Sequence, residues 1–419
     1  LLVSTAVAEP NTEKAPYTPI KITFDESGDR YARVVLWTQM WVRATQMNPD
    51  TEVNGEERDW VGDIGIRRAR ALFLVKPHQR TTFVLHFGIN NQTFNNARKP
   101  QLYIHDAWGE VDLTGKGHIS VGMGLHYFNG ITRLANSSTL TFLALDNPIN
   151  HWTTIERTDQ FARNLGIFAH GQIGLFAYQV SLDRPFTPST APVPDGPSEY
   201  NPTANTLSTS GYLELQFLEK EGDMLPFRTG TYLGKKQVLN VGAGWHVHPN
   251  GVATADADGD LDPSTLCGLG ADVFLEQPIG GGGALNAYAS YQYLDFGEDN
   301  VRNVGIMNLG TGGSSFNGAG NAYPILGTGH HAYAQVGFLI PGDLAGTQFM
   351  PYVTTQISVM EALGGAMVAP EVGVNWFLYG HHAKITAQWR SRPIFEGGVT
   401  EPTEDGRANE IIAQVQCFW

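Results

Sequence analysis

The chain of 419 residues carries 48 Gly, 9 Trp, 15 Tyr and 21 Phe, with a formal net charge of −14 and a mean hydropathy of −0.19. That acidic balance argues against a nucleic-acid partner, which needs a basic footprint, and it fits long acidic surface loops. Two cysteines, Cys267 and Cys417, are too few for a disulfide framework, and no apolar run approaches the ~18 residues of a membrane-crossing helix.

Crossing by strands is a separate matter, because a barrel strand needs only every second residue to be apolar. Residues 1–8 end in Ala6-Val7-Ala8, the small-x-small form that signal peptidase accepts. They read as a signal-peptide remnant or as a loose terminus. Residues 9–30 form an N-terminal segment. From 31 onward apolar residues alternate with polar ones, which describes ribbons with one greasy and one wet face. Predicted strands cover 31–46, 62–76, 80–93, 101–113, 117–131, 162–172, 174–184 and 210–220. They continue at 236–248, 265–277, 284–296, 329–340, 347–361, 366–379, 382–395 and 409–419. Tight joins such as Pro77-His-Gln79 and Thr114-Gly-Lys116 alternate with long ones such as the Pro/Ser/Thr-rich 185–209. Segment 221–235 is the exception, long where a turn is expected.

This asymmetry marks a meander closed into a barrel, with turns at one rim, loops at the other and an even count of about 16 strands. A propeller would repeat one motif per blade, and the chain has no such period. The final strand sets Ile411, Ala413, Val415, Cys417 and Trp419 against Glu410, Gln414 and Gln416. An edge strand of a soluble sandwich shares that alternation. In hydrocarbon no sheet edge can stay open, so in a barrel this strand must pair with the first. Trp37, Trp41, Trp60, Trp108, Trp245, Trp376, Trp389 and Trp419 fall mostly near predicted strand ends, where interfacial girdles form, though some must face the lumen.

The alternation also sorts charges, since charge on the lipid face costs about 2–4 kcal/mol at midplane. It turns Lys384, Gln388, Arg390 and Arg392 inward opposite Ala383, Ile385, Ala387 and Trp389. In 31–46 it places Arg33, Gln39 and Arg43 inside. In 62–76 it places Arg68 and Arg70 inside, and Arg67 then requires a bulge or a rim position. Acids follow the same rule: Asp106, Glu110, Asp112, Glu214, Asp272 and Glu371 face inward.

Several stretches resemble the phosphate-selective porin (O/P-type) family, in a branch like that of Bacteroidota. They are Val121-Gly-Met-Gly-Leu-His-Tyr-Phe-Asn-Gly-Ile-Thr-Arg-Leu-Ala-Asn136, Leu145-Asp-Asn-Pro-Ile149, Thr158-Asp-Gln-Phe-Ala-Arg163, Gly230-Thr-Tyr-Leu-Gly-Lys-Lys236 and Arg67-Arg68-Ala-Arg70. The resemblance implies a 16-stranded outer-membrane barrel, a homotrimer, and a third external loop folded into the pore. Phosphate-binding members line the pore with a basic ladder. Here inward acids accompany the bases, a pattern closer to a general diffusion pore, with any anion preference expected near Arg43, Arg68, Arg70, Arg133 and Arg390.

The loop 132–161 is too long for an idle connection. Its Leu140, Phe142, Leu143, Leu145, Ile149 and Trp152 need something to bury against, on the inner wall or on a neighbour. An inward fold would bring Asp146, Arg157 and Asp159 towards the pore axis. Asp256, Asp258, Asp260 and Asp262 alternate around a Gly in an external loop and could wrap calcium, although they match no EF-hand; a solvated acidic loop is the alternative. The pairs His246/His248, His330/His331 and His381/His382 are read as lumen or rim residues rather than metal ligands. Gly230–Lys236 departs from a phosphate loop in its spacing, and no Gly-x-Ser-x-Gly elbow is present.

The sequence thus reads as all-β: a transmembrane antiparallel barrel of about 16 strands spanning 31–419. It sits in outer-membrane lipid and passes small hydrophilic or anionic solutes, with no catalysis and no required cofactor. The alternatives are a scaffold subunit of a larger envelope complex and an outer-membrane barrel enzyme.

Overall fold

The computed structural model describes residues 17–96, 99–127, 130–222, 225–398 and 401–419. The signal-peptide remnant expected at 1–8 lies outside these residues. Sixteen long strands form the wall. The first eight are β1 (Tyr31–Gln46), β2 (Trp60–His78), β3 (Thr81–Gln92), β4 (Tyr103–Asp112), β5 (Ser120–Tyr127), β6 (Arg163–Ile173), β7 (Phe176–Arg184) and β8 (Ser208–Gln216). The second eight are β9 (Val238–Ala255), β10 (Leu261–Ile279), β11 (Gly283–Asp295), β12 (Gly329–Leu339), β13 (Gln348–Met360), β14 (Met367–Tyr379), β15 (Ala383–Glu396) and β16 (Thr403–Phe418). Each pairs antiparallel with its sequence neighbours.

Closure comes from the two ends of the chain. β16 pairs with β1 from Trp37↔Phe418 to Thr45↔Glu410. The seam reaches the last residue, where Leu36 N donates to Trp419 O at 2.9 Å and Trp419 N to Leu36 O at 2.8 Å. The first residues of β1 extend past this seam, and Ile20–Thr23 pairs with them, Ile20↔Val34 to Thr23↔Tyr31, covering the remaining edge.

The wall is inverted relative to a soluble protein. On β1, Leu36, Met40 and Val42 are exposed while Gln39, Trp41, Arg43 and Thr45 are buried. On β16, Ile411 and Val415 are exposed while Glu410, Gln414 and Gln416 are buried. Outward Ile64, Met123, Ile167, Leu269, Val353 and Val372 continue this belt around the wall. So large an apolar surface is stable only against hydrocarbon. Cys417 is exposed and Cys267 half-buried, both unbonded thiols in the outward phase, as the alternation implies.

Of the two placements open to Arg67, a bulge or a rim position, the pairing shows the bulge. Between β1 and β2 the register jumps from Gln39↔Arg68 to Met40↔Ile66, leaving Arg67 as the extra residue. Arg67 and Arg68 therefore both point inward, at 6% and 2% exposure. Trp37, Trp41 and Trp108 are buried on the lumen side, so they are not girdle residues; Trp60, Trp376, Trp389 and Trp419 are exposed.

Other boundaries differ for physical reasons. β9 and β10 run on to Ala255 and back to Leu261, because their hairpin continues past a register shift between His248 and Val252 that breaks the period, and Val252 packs there with Tyr200 and Phe296. β5 ends at Tyr127, and β8 ends at Gln216, after which Phe217 N and Glu219 N still bond Leu239 O and Gln237 O before the connection turns into the lumen.

Candidate functional site

The lumen is narrowed by three inserted segments. The third long loop, L3 (residues 130–162), starts against the wall of β9 and β10. There Gly244 and Gly270 leave room for its backbone: a Cβ at Gly244 would meet Ile131 Cα at 2.7 Å, and one at Gly270 would collide with the Ile131 carbonyl. The loop then runs from the β8–β10 side to β13–β16 and on to β2, and wall side chains satisfy its backbone. Asp272 Oδ2 accepts from Arg133 N at 2.6 Å. Gln416 Nε2 donates to Leu140 O at 2.9 Å, Lys384 Nζ to Phe142 O at 3.1 Å and Asn375 Nδ2 to Leu143 O at 2.7 Å. Gln388 Oε1 accepts from Leu145 N at 3.2 Å. At its far end Asp146 takes Arg67 Nε at 2.7 Å and Arg68 Nη2 at 2.8 Å. Burial pushes the Asp146 carboxyl up, but the two guanidiniums outweigh this and hold it well below the usual carboxylate range. The apolar side of the loop, Ile131, Phe142, Ile149 and Trp152, packs in one cluster with Tyr323, Leu326 and Phe395. The inward fold expected from its apolar content is what the loop adopts.

The second insert, T4 (residues 217–237), is the connection that was long where a turn was expected. It rises from the short-turn rim and meets L3. Arg228 N donates to Asn136 O at 2.6 Å, and Ser138 N to Arg228 O at 2.8 Å. Arg133 clasps it, with 2.6 Å bonds from Nη1 and Nη2 to the Glu221 carboxylate and one of 2.9 Å to Glu214 Oε1. Burial raises the Glu221 carboxyl, but Arg133 and Arg228 prevail and hold it at about 2. The third insert, L6 (residues 296–328), covers the opposite mouth, where Ile306 O and Met307 O accept from Arg43 Nη1 and Nη2.

Between L3 and the wall of β1–β3 remains a cavity of about 380 Å³. Its lining runs from Glu156, Phe161 and Arg302 at the loop end to Arg33, Leu225, Phe227 and Phe418 at the short-turn end. Arg33, Arg67, Arg68, Arg70, Arg163 and Arg302 line it, and Glu156 is the one carboxylate among its lining residues. Asp146 and Asp106 stand behind this layer, Asp106 paired with Arg163 at 3.2 Å and with His86 Nδ1 at 2.5 Å.

The inward residues read from the sequence therefore divide into two sets. Arg33, Arg68 and Arg70 line the open space. Others hold structure: Arg43 is bound by Asp63 and Glu410, and Arg390 by Glu371 and Glu410. Arg392 is bound by Asn48 and the Gln46, Gly320 and Ala322 carbonyls, Lys384 by Phe142 O, and Arg133 by the T4 clasp. Glu110 bonds His170 Nε2 at 2.8 Å. Asp112 caps the next turn through Thr114, Gly115 and Gly117. Of the loop residues placed towards the axis, only Asp146 touches lining arginines. Arg157 donates to Thr190 Oγ1 in the neighbouring loop. Asp159 turns into its own loop, accepting from Thr154, Glu156 and Ala162, and burial raises its carboxyl. Arg163 and Arg302 were not singled out in the sequence. Arg163 opens β6 in the phase of the outward Leu165 and Ile167 yet is buried where the alternation breaks at the strand end, and Arg302 sits in a loop where no period applies, so phase could find neither.

Asp256 folds back on its own turn, accepting from Asp258 N at 3.0 Å and Asp260 N at 2.9 Å. Among the described residues no three carboxylate, imidazole or thiol groups converge as a metal site. His331 is engaged by Ser358 and Gly327 O, and His381 by Thr231 O, each in a separate setting.

No protein-family profile matches the chain, and no curated protein matches it by sequence. Solved structures do match in shape. OmpF of Salmonella typhi is similar over 93% of this chain and 98% of its own, with TM-score 0.54 and 9% identity. OprB of Pseudomonas putida is similar over 92% and 94%, with TM-score 0.52 and 10% identity. An anion-selective porin from Comamonas acidovorans is similar over 93% and 99%, with TM-score 0.51 and 8% identity. The fold is the sixteen-stranded barrel of outer-membrane porins.

Proposed function

We propose that this chain is a porin of the bacterial outer membrane, forming a water-filled path for passive diffusion of small hydrophilic solutes with a preference for anions. The single observation that carries the preference is the lining of the open space, six guanidiniums facing one carboxylate. Such a layer, in a cleft with low-dielectric walls, raises the local concentration of anions and lowers that of cations. Asp106 and Asp146 temper the field from behind, so the preference is graded rather than absolute. Phosphate passes as one small anion among others, because the inward acids break up the continuous basic ladder of a dedicated phosphate filter. A homotrimer belongs to this proposal on the resemblance to phosphate-selective porins, and light scattering of the detergent-purified protein tests it.

Reversal potentials in a KCl gradient across a planar bilayer test the channel itself. Chloride permeating ahead of potassium is expected. Potassium ahead of chloride, or no conductance from correctly inserted protein, would overturn the proposal.

A further inference from the structure

The open cavity has two chemically different sides. Arginines and a tryptophan come from the β1–β3 wall. Arg70 lies level with Trp37 across the β1–β2 pairing, and Arg33 level with Leu74. Four residues separate Arg33 from Trp37, about 14 Å along a strand. Arg70 bonds Asn90 Oδ1 through Nε at 3.0 Å and Nη2 at 2.7 Å, and no carboxylate pairs with it among the described residues. Arg33 Nε and Trp37 Nε1 are buried with no hydrogen-bond partner. Unsatisfied buried donors are costly unless something arrives to accept from them. Of the unsatisfied groups on the wall, Arg33 Nε and Trp37 Nε1 are N–H donors, which suits an anion, and His86 Nε2, whose ring is held through Nδ1 by Asp106, is the third.

L3, T4 and the end of β5 supply the other side, which is largely apolar beside Ser137, Ser138 and Thr139. Leu140, Leu225, Phe227 and Tyr127 line it. The Tyr127 and Phe227 rings meet edge to face at 4.8 Å. The Tyr127 hydroxyl is already engaged by Ala135 O and the Arg163 guanidinium lies over its ring at 4.6 Å, so Leu140 and Phe227 supply the accessible apolar surface. An inorganic anion or a sugar makes no use of such a wall. Small-molecule sites of about 300–1,000 Å³ combine apolar surface with a few fixed polar groups, as this cavity does.

We infer that the cavity is a binding site for an amphipathic organic anion: a carboxylate held by Arg70 and Trp37 Nε1, with an aromatic or alicyclic body against Leu140, Leu225 and Phe227. This rests on the anion-diffusion reading and names its substrate class. A site along the path turns simple diffusion into saturable passage, because the solute must bind before it leaves.

Benzoate is the probe, with acetate as the anion lacking the ring and benzyl alcohol as the ring lacking the charge. Isothermal titration of detergent-purified protein should show benzoate binding about tenfold tighter than acetate, the increment of one buried ring, and no heat from benzyl alcohol. In planar bilayers benzoate should reduce the KCl current saturably. Arg70→Gln and Trp37→Leu should each weaken benzoate binding by about tenfold, the loss of a charge-assisted bond and of a ring contact with a donor. Equal affinity for benzoate and acetate, or benzoate binding unchanged in Arg70→Gln, would overturn the inference. Titration needs no open channel, so it fails separately from the reversal-potential test. Should Arg70→Gln not fold, the comparison of the three probes on the wild-type protein decides alone.

Discussion

Replacing Asp146 by Asn tests how L3 sets the field in the path. In the wild-type protein Asp146 neutralises one of the two guanidiniums it touches, at 2.7 and 2.8 Å, with all three side chains at or below 7% exposure. Asn keeps the shape and removes the charge, so the local balance moves from one net positive charge to two. A unit charge felt at about 6 Å through an effective dielectric near 20 amounts to roughly 3 kcal/mol. Salt at about 0.1 M screens over about 10 Å and leaves about half of that, roughly 1.5 kcal/mol. The change favours chloride and opposes potassium by the same amount, so the chloride-to-potassium permeability ratio should rise by at least about tenfold. Breaking a buried pair also costs about 3–5 kcal/mol, and the cost falls on L3 rather than the wall, because Lys384, Asn375 and Gln388 still hold the middle of the loop. Reversal potentials give the ratio, and the heat-dependent gel shift reports the barrel. An unchanged or reduced ratio in a barrel of unchanged heat stability would refute the placement of Asp146 beside the ion path.

Further predictions concern the inserts. Gly270→Ala drives a methyl group into the Ile131 carbonyl; the overpacking costs about 1–3 kcal/mol, and proteolysis within L3 should become faster than in the wild type. Replacing T4 residues 219–235 with a tight turn should raise single-channel conductance while the gel shift still reports a closed barrel. The T4 clasp should also depend on pH in a set direction. The Glu221 carboxyl is lowered to about 2 from an ordinary 4.5, so its stabilisation is complete above about 4.5 and is lost as pH falls towards 2. Loss of the clasp should appear as a conductance increase as pH falls from 4.5 towards 2, and Glu221→Gln should show the increased value already at pH 7.

Most of the wall was legible in the sequence. β1 (Tyr31–Gln46) coincides with its predicted span, and the Arg67 bulge is one of the two placements that three arginines in four residues leave open. These features are readable because a strand between lipid and water repeats every two residues and a charge on the wrong face is expensive. The lumen was less legible. Phase shows that Arg43, Arg390 and Lys384 point inward, but not that L6, Glu371 and Phe142 O await them there. Which arginines remain available depends on where L3 and T4 cross the lumen, and that is settled by contacts between distant residues, such as Gln39 Nε2 with Thr139 O, 100 residues apart. The excess length of 221–235 was visible; its destination was not.

Substituted-cysteine accessibility probes the central assignment most directly, in a background carrying Cys267→Ala and Cys417→Ala. Each of Arg70→Cys and Arg392→Cys is exposed to an anionic methanethiosulfonate reagent while single-channel current is recorded. The account predicts rapid modification and a changed current for Arg70→Cys, with Arg392→Cys protected beneath L6. Modification of the second and silence of the first would place the water path elsewhere in the barrel.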